Sequence, residues 1–446
     1  MSPDRMKLIY VSFYMKNLLI IVTIFFLFSC DRIRKKPKWL KGNLHTHTLW
    51  SDGDAPPETV VNWYHQNNYQ FLALSDHNIL SEGEKWIDVV DSANTEIWPP
   101  PFTIEKLEKL KIEFGDDWPD LRQKGDTLQM RLKTLSELKD KFEVPGEFIL
   151  IQAEEITDIF DKYPVHVNAT NLELLIQPQG GKSTYDVLQR NVDAVLRQRE
   201  QTNRPMIAHA NHPNFYWGIL PEDLIKLKGD PFFEVYNGHP DVKNWGDDAH
   251  PGTDRIWDIV LSNRLHKNRS VMYGLATDDA HSYYNFGIGN SNAGRGWVMV
   301  YRKHLTPMGV INALENGEFY SSSGVLLDEI KVTRDQITVK IQGEPGVSYT
   351  TKFIGTPRKF DTSSTPVLDD KGQERHISRI YSAEIGKVFF ETNENPAVYN
   401  FDNTELYVRT QIISDRKHSN PYAEGDFEMA WTQPVVNTHK LHEPQI

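Results

Sequence analysis

The stretch Phe71-Leu72-Ala73-Leu74-Ser75-Asp76-His77-Asn78 decides the fold. Four apolar residues without helical spacing lead into a polar end with a carboxylate and an imidazole. Such a run reads as a buried strand that delivers side chains at its C-terminal end. Runs of the same kind fall at 43–47, 148–153, 165–170, 206–209, 232–237, 271–278 and 297–301. Amphipathic stretches such as 57–67 and 183–199 lie between them. Strands alternating with helices predict a parallel α/β architecture over residues 42–325, and so many repeats predict a barrel.

Residues 82–146 break this rhythm. They are rich in Lys, Glu and Asp, carry Trp98-Pro99-Pro100-Pro101, and read as an inserted, partly helical flap over one barrel end. A surface decoration and a substrate lid are equal readings of it. After Leu326 the pattern becomes β-like, with alternation at 330–343 and 405–414. Residues 326–446 are therefore expected to form a small C-terminal all-β domain. Four histidines there, His376, His418, His439 and His442, have no ligand spacing and read as surface residues.

The 446 residues fit about two or three domains. The net charge of −12 argues against binding a nucleic-acid polymer, which needs a basic face. An anionic small molecule is not excluded, because a bound metal can dominate the local field. With one cysteine, Cys30, no intramolecular disulfide can form.

The chemistry lies at the strand ends. His45 and His47 sit two apart, so on a strand both imidazoles would face one ion. Asp52 follows in Ser51-Asp52-Gly53, and His77 ends the next strand. Glu154-Glu155, His166, His209, His212 and Asp278-Asp279-Ala280-His281 continue the series. In a parallel α/β barrel the C-terminal strand ends converge on one face, so residues from 45 to 281 can share a pocket. Imidazole and carboxylate together suit Zn, Mn or Fe, and a shared carboxylate can bridge two ions.

Each motif alone is weak. An isolated His-x-His is more often incidental than ligating, and an Asp-His pair at a strand end is often only a cap. Recurrence at the same structural position gives the series its weight. Other candidates fail. Ile176 stands where a P-loop ending in Gly181-Lys182-Ser183 needs its first glycine. Gly287-Ile288-Gly289 lacks the third glycine of a dinucleotide fingerprint, and Ser321-Ser322-Ser323 has no motif that would activate a hydroxyl.

The series His45-x-His47, Ser51-Asp52-Gly53, Ser75-Asp76-His77-Asn78, Glu155-Ile156-Thr157, His166, Ala208-His209 and Asp279-Ala280-His281 resembles the PHP family, the polymerase and histidinol phosphatase superfamily of metal-dependent phosphoesterases. The resemblance covers residues 42–325 apart from the insertion. It implies a distorted (β/α)7 barrel with a centre of two or three divalent ions (Zn, Mn or Fe). One ion would be held by His45, His47, Glu155 and Asp279, a second by Glu155, His166 and His209, a third by Asp52, His77 and His281. Glu155 is preferred to Glu154 because Glu-Ile-Thr matches the motif, and strand alternation sends the two to opposite faces. Gly294-Arg295-Gly296-Trp297-Val298, Gly317–Gly324 and Ala430-Trp431-Thr432-Gln433-Pro434 resemble one branch of the family, whose members hydrolyse phosphoesters or carbamate esters.

The expected activity is hydrolysis of a small-molecule phosphoester by a metal-activated water. His281, His212 or His239 would protonate the leaving group, and Arg295 would clamp phosphate in its guanidinium fork. A surface position in a glycine-rich loop is the equal alternative for Arg295. Two other functions stay open: a carbamate, ester or amide hydrolase with the same ions, and a non-catalytic surface protein that binds through the β domain.

Met15-Lys16-Asn17, the apolar run 18–27 and Phe28-Ser29-Cys30 read as a secretory signal over residues 1–29. Met15 reads so cleanly as a start that residues 1–14 are expected to be a start-site artefact. The apolar run is shorter than the roughly 20 residues of a membrane span. Leu27-Phe28-Ser29-Cys30 resembles the bacterial lipoprotein signal, although Phe28 stands where a small or β-branched residue is usual. That resemblance implies a lipidated Cys30 on a basic tether (30–41), and an exported protein of the cell envelope, on the periplasmic side or cell surface. Plain secretion with an incidental cysteine is the alternative.

Overall fold

The computed structural model describes residues 36–91, 99–229 and 232–436. The expected signal, Cys30, His439 and His442 lie outside the described residues. The first strand, β1 (Lys38–Asn43), is followed by helix α1 (Pro57–Gln66) and strand β2 (Phe71–Leu74). Pro57 opens α1 where a missing N–H costs nothing.

The described residues of 82–146 form strands as well as the helices expected of a flap. It holds β3 (Trp86–Val90), β4 (Phe102–Thr103), α2 (Ile104–Phe114), β5 (Asp120–Lys124), β6 (Thr127–Arg131) and α3 (Leu135–Phe142). The strands form a separate four-stranded sheet in the order β4-β3-β6-β5. Val89, Phe102, Leu107, Leu110, Met130 and Leu132 bury a small core of their own against Leu49 and Trp50. Thr103 caps α2 at the Lys106 N–H, and Thr134 and Glu137 form a reciprocal capping box on α3.

The main sheet continues with β7 (Ile149–Phe160), β8 (Tyr163–Thr170), α4 (Thr184–Thr202), β9 (Ile207–Ala210), α5 (Pro221–Lys226), β10 (Phe232–Asn237), α6 (Thr253–His266) and β11 (Tyr273–Thr277). The order β1-β2-β7-β8-β9-β10-β11 is hydrogen-bonded throughout. Thr46 pairs in parallel with Ala280, so the end of β11 meets the end of β1. The result is a mixed α/β fold, not the all-parallel alternation expected. β7 and β8 form an antiparallel hairpin, and β9 runs antiparallel to β8. A two-residue turn at Asp161-Lys162, with Asp161 at φ 56°, replaces the helix that strict alternation would place there.

Alternation along these strands sorts their side chains. Phe71, Ala73, Ile151, Ala153, Ile207, Phe232 and Leu275 pack together in one apolar cluster. Two residues further along the same faces come Ser75, Glu155, His209, Glu234 and Thr277, all buried. An apolar layer thus lies beneath a polar one. Helix α7 (Pro307–Glu315), which follows β12 (Trp297–Arg302), contributes Val310, Ile311 and Leu314 to the apolar cluster.

The C-terminal region is β-rich and is joined to the main sheet. Its strands are β13 (Phe319–Ser322), β14 (Leu327–Val332), β15 (Gln336–Ile341), β16 (Tyr349–Pro357), β17 (Ser364–Thr365), β18 (Ile380–Tyr381), β19 (Lys387–Thr392), β20 (Ala397–Asn400), β21 (Glu405–Lys417), β22 (Phe427–Thr432) and β23 (Val435–Val436). β22 pairs with β13, so the sheet runs from the strands of the polar layer into β21, β16 and β19. Gln433 bonds both the N–H and the carbonyl of Gly274, which ties the Ala430–Pro434 segment to β11. Arg409 on β21 is 1% exposed and grips α6 through Asp258 (2.8 and 2.9 Å) and Asp254 (2.9 Å). Two histidines read as surface residues are partly buried. His376 stacks on Tyr163 at 3.8 Å, and burial first, with Arg295 adding to it, lowers the pKa of His418 to about 4.

Candidate metal centre

His45 and His47 sit just past the end of β1, not within it as expected. The His47 N–H reaches the Ala280 carbonyl at 3.0 Å and the Asp279 N–H reaches the His45 carbonyl at 3.1 Å, which brings both histidines against the end of β11. Asp279 takes a left-handed φ of 49°, a region that Asp tolerates better than most residues. Its neighbour Asp278 accepts from the Gly294, Arg295 and Gly296 N–H groups and from Tyr64, so that carboxylate is structural.

Three side-chain atoms, from His45, His47 and Asp279, then converge, and Glu155 lies beside the two histidines. Asp279 Oδ1 lies 3.1 Å from both His45 Nε2 and His47 Nε2, and Glu155 Oε2 lies 3.6 and 3.4 Å from the same two nitrogens. His45 Nε2, His47 Nε2 and Glu155 Oε2 are buried and make no hydrogen bond of acceptable geometry. Four ligands at the usual Zn–N and Zn–O lengths around a tetrahedral ion stand about 3.4 Å apart. The donor set, its spacing and its orphaned atoms therefore fit a divalent metal.

Glu155 faces both ways. Its Oε1 accepts from Asn211 at 2.6 Å and lies 2.9 Å from His166 Nδ1 and 3.3 Å from His212 Nε2. Of the expected trio Glu155, His166 and His209, the structure brings His166 but not His209 beside Glu155, and His212 lies there in its stead. His209 Nε2 points instead to Glu234, at 3.3 Å. Strand β9 ends at Ala210, and the chain turns there, so alternation no longer predicts which side His212 takes. Glu154 faces away from the cluster and accepts from the Ile176 N–H, in line with the choice of Glu155.

A further group joins Asp52, His77, His281 and His47. His281 Nε2 lies 3.3 Å and His77 Nε2 3.4 Å from the Asp52 carboxylate. His281 Nδ1 meets the Asp279 carbonyl at 2.9 Å, which puts the ring proton there and leaves Nε2 its lone pair. The loop that carries Asp52 is held by Asp76, which accepts from Thr48 N–H at 2.7 Å and Ser51 Oγ–H at 2.6 Å. Gly53 is required in it, because a Cβ there would stand 2.7 Å from the His47 carbonyl.

Electrostatics match this balance of imidazoles and carboxylates. Burial opposes charge on Glu155 and Asp279, yet the surrounding histidines hold both carboxyls well below the usual range. Burial, then the neighbouring His281 and His77, pushes His47 down to about 3. A neutral imidazole is the form that ligates metal. Burial acts in the same direction on His45, His77 and His281, yet the carboxylates of Asp279, Glu155 and Asp52 facing them raise all three.

Glu234 was not singled out in the sequence. It lies mid-strand in Phe232-Phe233-Glu234-Val235, and the apolar run conceals it. It is fully buried and accepts from His45 Nδ1 (2.7 Å), Thr277 Oγ1 (2.8 Å), the His212 N–H (2.7 Å) and Asn237 Nδ2 (2.8 Å). The carboxylate fixes the His45 proton on Nδ1 and turns Nε2, with its lone pair, toward the cluster. A charged residue at an inward strand position, in phase with Phe232, was the available signal.

Over the cluster opens a cavity of about 460 Å³, lined by Asp52, His77, Glu155, His166, His212 and Phe215 on one part, and by His239, Asp241, Asp279, His281 and residues 289–291 on another. No described residue of 82–146 lines it. The insertion supports the neighbouring loop instead: Trp50 Nε1 bonds the Lys133 carbonyl at 2.9 Å and Lys106 the Asp54 carbonyl at 2.8 Å. Arg295 does not serve as a phosphate clamp. It is fully buried, and its guanidinium is engaged by the carbonyls of Gly238, Asn290, Gly287 and Asn420 and by the Asn292 side chain. Of the three expected proton donors, His281 and His212 fall within the ligand groups. His239 lines the cavity and accepts from the Asp241 N–H at Nδ1 (3.1 Å), so its neutral ring carries the proton on Nε2. Burial lowers its pKa to about 4.

One wall loop is strained. Tyr216 and Trp217 have φ of 47° and 57°, a region that costs a non-glycine residue about 1–3 kcal/mol. The loop is held by Phe215 N–H to the His212 carbonyl (2.8 Å), by His376 Nε2 to the Trp217 carbonyl (3.1 Å) and by the Trp217 ring stacked on His250 at 3.9 Å. Gly218 has no room for a Cβ, which would stand 2.0 Å from the Pro164 carbonyl oxygen.

No protein-family model matches this chain, and no curated protein matches it. Solved structures that match this chain include the following two. A two-domain protein from Bacteroides vulgatus ATCC 8482, containing a predicted PHP-like metal-dependent phosphoesterase, is 14% identical with a TM-score of 0.36, over 90% of this chain and 96% of that one. A protein from Bifidobacterium adolescentis ATCC 15703 named "a putative metal-dependent phosphoesterase" is 12% identical with a TM-score of 0.27, over 55% of this chain and 89% of that one. Neither likeness is close enough to carry function across.

Proposed function

We propose that this chain is a metal-dependent hydrolase of phosphoesters, with two or three divalent ions in the cluster described above. The observation that carries the reading is the convergence of His45 Nε2 and His47 Nε2, buried without hydrogen bonds, on Asp279 Oδ1, with the equally orphaned Glu155 Oε2 beside the same two nitrogens. His45, His47, Glu155 and Asp279 would hold one ion; Glu155, His166 and His212 a second; Asp52, His77 and His281 a third. Ions held there supply a water of lowered pKa and neutralise charge on phosphoryl oxygens.

The chain's own residues do the rest. Glu234 holds His45 in its ligating tautomer, and the Asp279 carbonyl does the same for His281. His239 offers its Nε2–H to the leaving oxygen or to a phosphoryl oxygen. Arg295 keeps the loops at 238 and 287–290 in place around the cavity. The order of the sequence motifs, which resembles the PHP family, supports phosphoesters as the substrate class. On the same reading the seven strands from β1 to β11 form a distorted (β/α)7 barrel, which the Thr46–Ala280 pairing supports. The signal-like leader and Cys30 support export to the bacterial cell envelope with a lipid anchor.

The test is turnover of phosphomonoester, phosphodiester and carbamate-ester panels by protein stripped with chelator, then restored with Zn, Mn or Fe. Phosphoester turnover should vanish on stripping and return with metal. Turnover that ignores the chelator, or that is confined to carbamates, would overturn the reading.

A further inference from the structure

The cavity is acidic and histidine-rich at its floor, and no Lys or Arg is among the described residues that line it. A substrate with a second anionic group would find no cation there beyond the ions of the floor. Asp241, at the cavity wall, would oppose it.

The wall offers carbon instead. Phe215 lines the cavity and packs its ring near those of His212 (4.9 Å) and His239 (5.7 Å). The next residue, Tyr216, sets its ring 4.6 Å from that of Phe215 and is 62% exposed. Ile288, 56% exposed, directly precedes the lining residues Gly289 and Asn290. Tyr216 is held in this exposed position by a left-handed backbone that aromatic residues seldom adopt, and the His376, His250 and Gly218 contacts keep it there. Strain kept at an exposed aromatic beside a cavity is characteristic of a ligand-binding segment. Phe215 on the cavity wall, with the exposed Tyr216 ring beside it at the rim, can recognise another ring by stacking or edge contact.

We infer that Phe215 and Tyr216 form a platform for the leaving group, and that the substrate is an ester of a ring-bearing, uncharged alcohol such as a phenol. This rests on the phosphoesterase reading, with the phosphoryl end toward the histidine and carboxylate floor. Phe215 and Tyr216 then determine specificity, and the C-terminal region contributes to it through His376.

The experiment is calorimetric titration of the metal-loaded full chain with phenylphosphonate and with methylphosphonate. The wild type should prefer the phenyl compound by about tenfold. Tyr216→Ala should bring that ratio to within about twofold of unity, and Tyr216→Phe, which keeps the ring, should restore it. Tyr216→Gly should lose the ratio while its melting temperature stays at or above that of the wild type, because glycine relieves the left-handed strain. Equal binding of both compounds by the wild type, or a phenyl preference kept by a folded Tyr216→Ala, overturns the platform and leaves the phosphoryl site standing. Failure of both phosphonates to bind overturns the phosphoryl site and the platform with it.

Discussion

Replacing Glu234 by glutamine changes one atom beneath the proposed metal centre, and the structure gives the consequence. The carboxylate accepts from His45, His209 and Thr277 on Oε1, and from the His212 N–H and Asn237 on Oε2. A glutamine has one acceptor oxygen, and it must face the His212 N–H, which cannot be reversed. The NH2 group then points at His45 Nδ1, so the ring must carry its proton on Nε2, the atom aimed at Asp279 and Glu155. One ligand of the first ion is lost or must pay for a tautomer change. Partners of this kind affect metal affinity by about 10–100-fold, or roughly 1.4–2.7 kcal/mol. The assay titrates metal-stripped protein with Zn²⁺ against a chromophoric chelator, with circular dichroism to show that Glu234→Gln is folded. Loss of at least about tenfold in the tightest affinity is expected. A folded variant that binds Zn²⁺ within about twofold of the wild type would refute the reasoning.

Two further predictions concern stability. Burial raises the Glu58 carboxyl from 4.5 to about 7, so the folded state holds a proton that the unfolded state has released. The protein should lose up to roughly 3 kcal/mol as pH rises from about 4.5 to about 7, with little change above. Glu58→Gln should remove that slope, matching the wild type near pH 4 and exceeding it at pH 8 in urea unfolding; an unchanged slope contradicts the assignment. Arg409→Met should cost about 3–5 kcal/mol, because Asp258 stays buried without its cation and the half-buried Asp254 loses its partner. A shift in urea midpoint equivalent to less than about 1 kcal/mol would show that the clamp between β21 and α6 is not a structural requirement.

Local periodicity made much of the site legible. Ile151, Ala153 and Glu155 alternate on one face, so the strand sends Glu154 and Glu155 to opposite sides, while the choice between them came from the Glu-Ile-Thr motif. His45, His47, Asp52, His77 and His281 meet because strand ends converge on one side. Other features depended on contacts that spacing does not encode. Glu234 lay hidden in an apolar run because buried charge and buried carbon share one strand pattern. His212 took the place expected of His209 because β9 ends between them. Arg295 is fixed by carbonyls from segments near 238, 287–290 and 420, which no motif reveals. The hairpin of β7 and β8 depends on a two-residue turn without glycine, and the pairing of β13 with β22 joins strands roughly a hundred residues apart.

Elemental analysis of protein purified without chelators, beside phosphoester turnover of the same samples, tests the central claim most directly. The wild type should carry two or three divalent ions per chain and hydrolyse phosphoesters. Asp279→Asn should remain folded, lose at least one ion, and lose turnover. A wild type that hydrolyses without metal, or an Asp279→Asn variant with full metal content and full activity, would contradict the account.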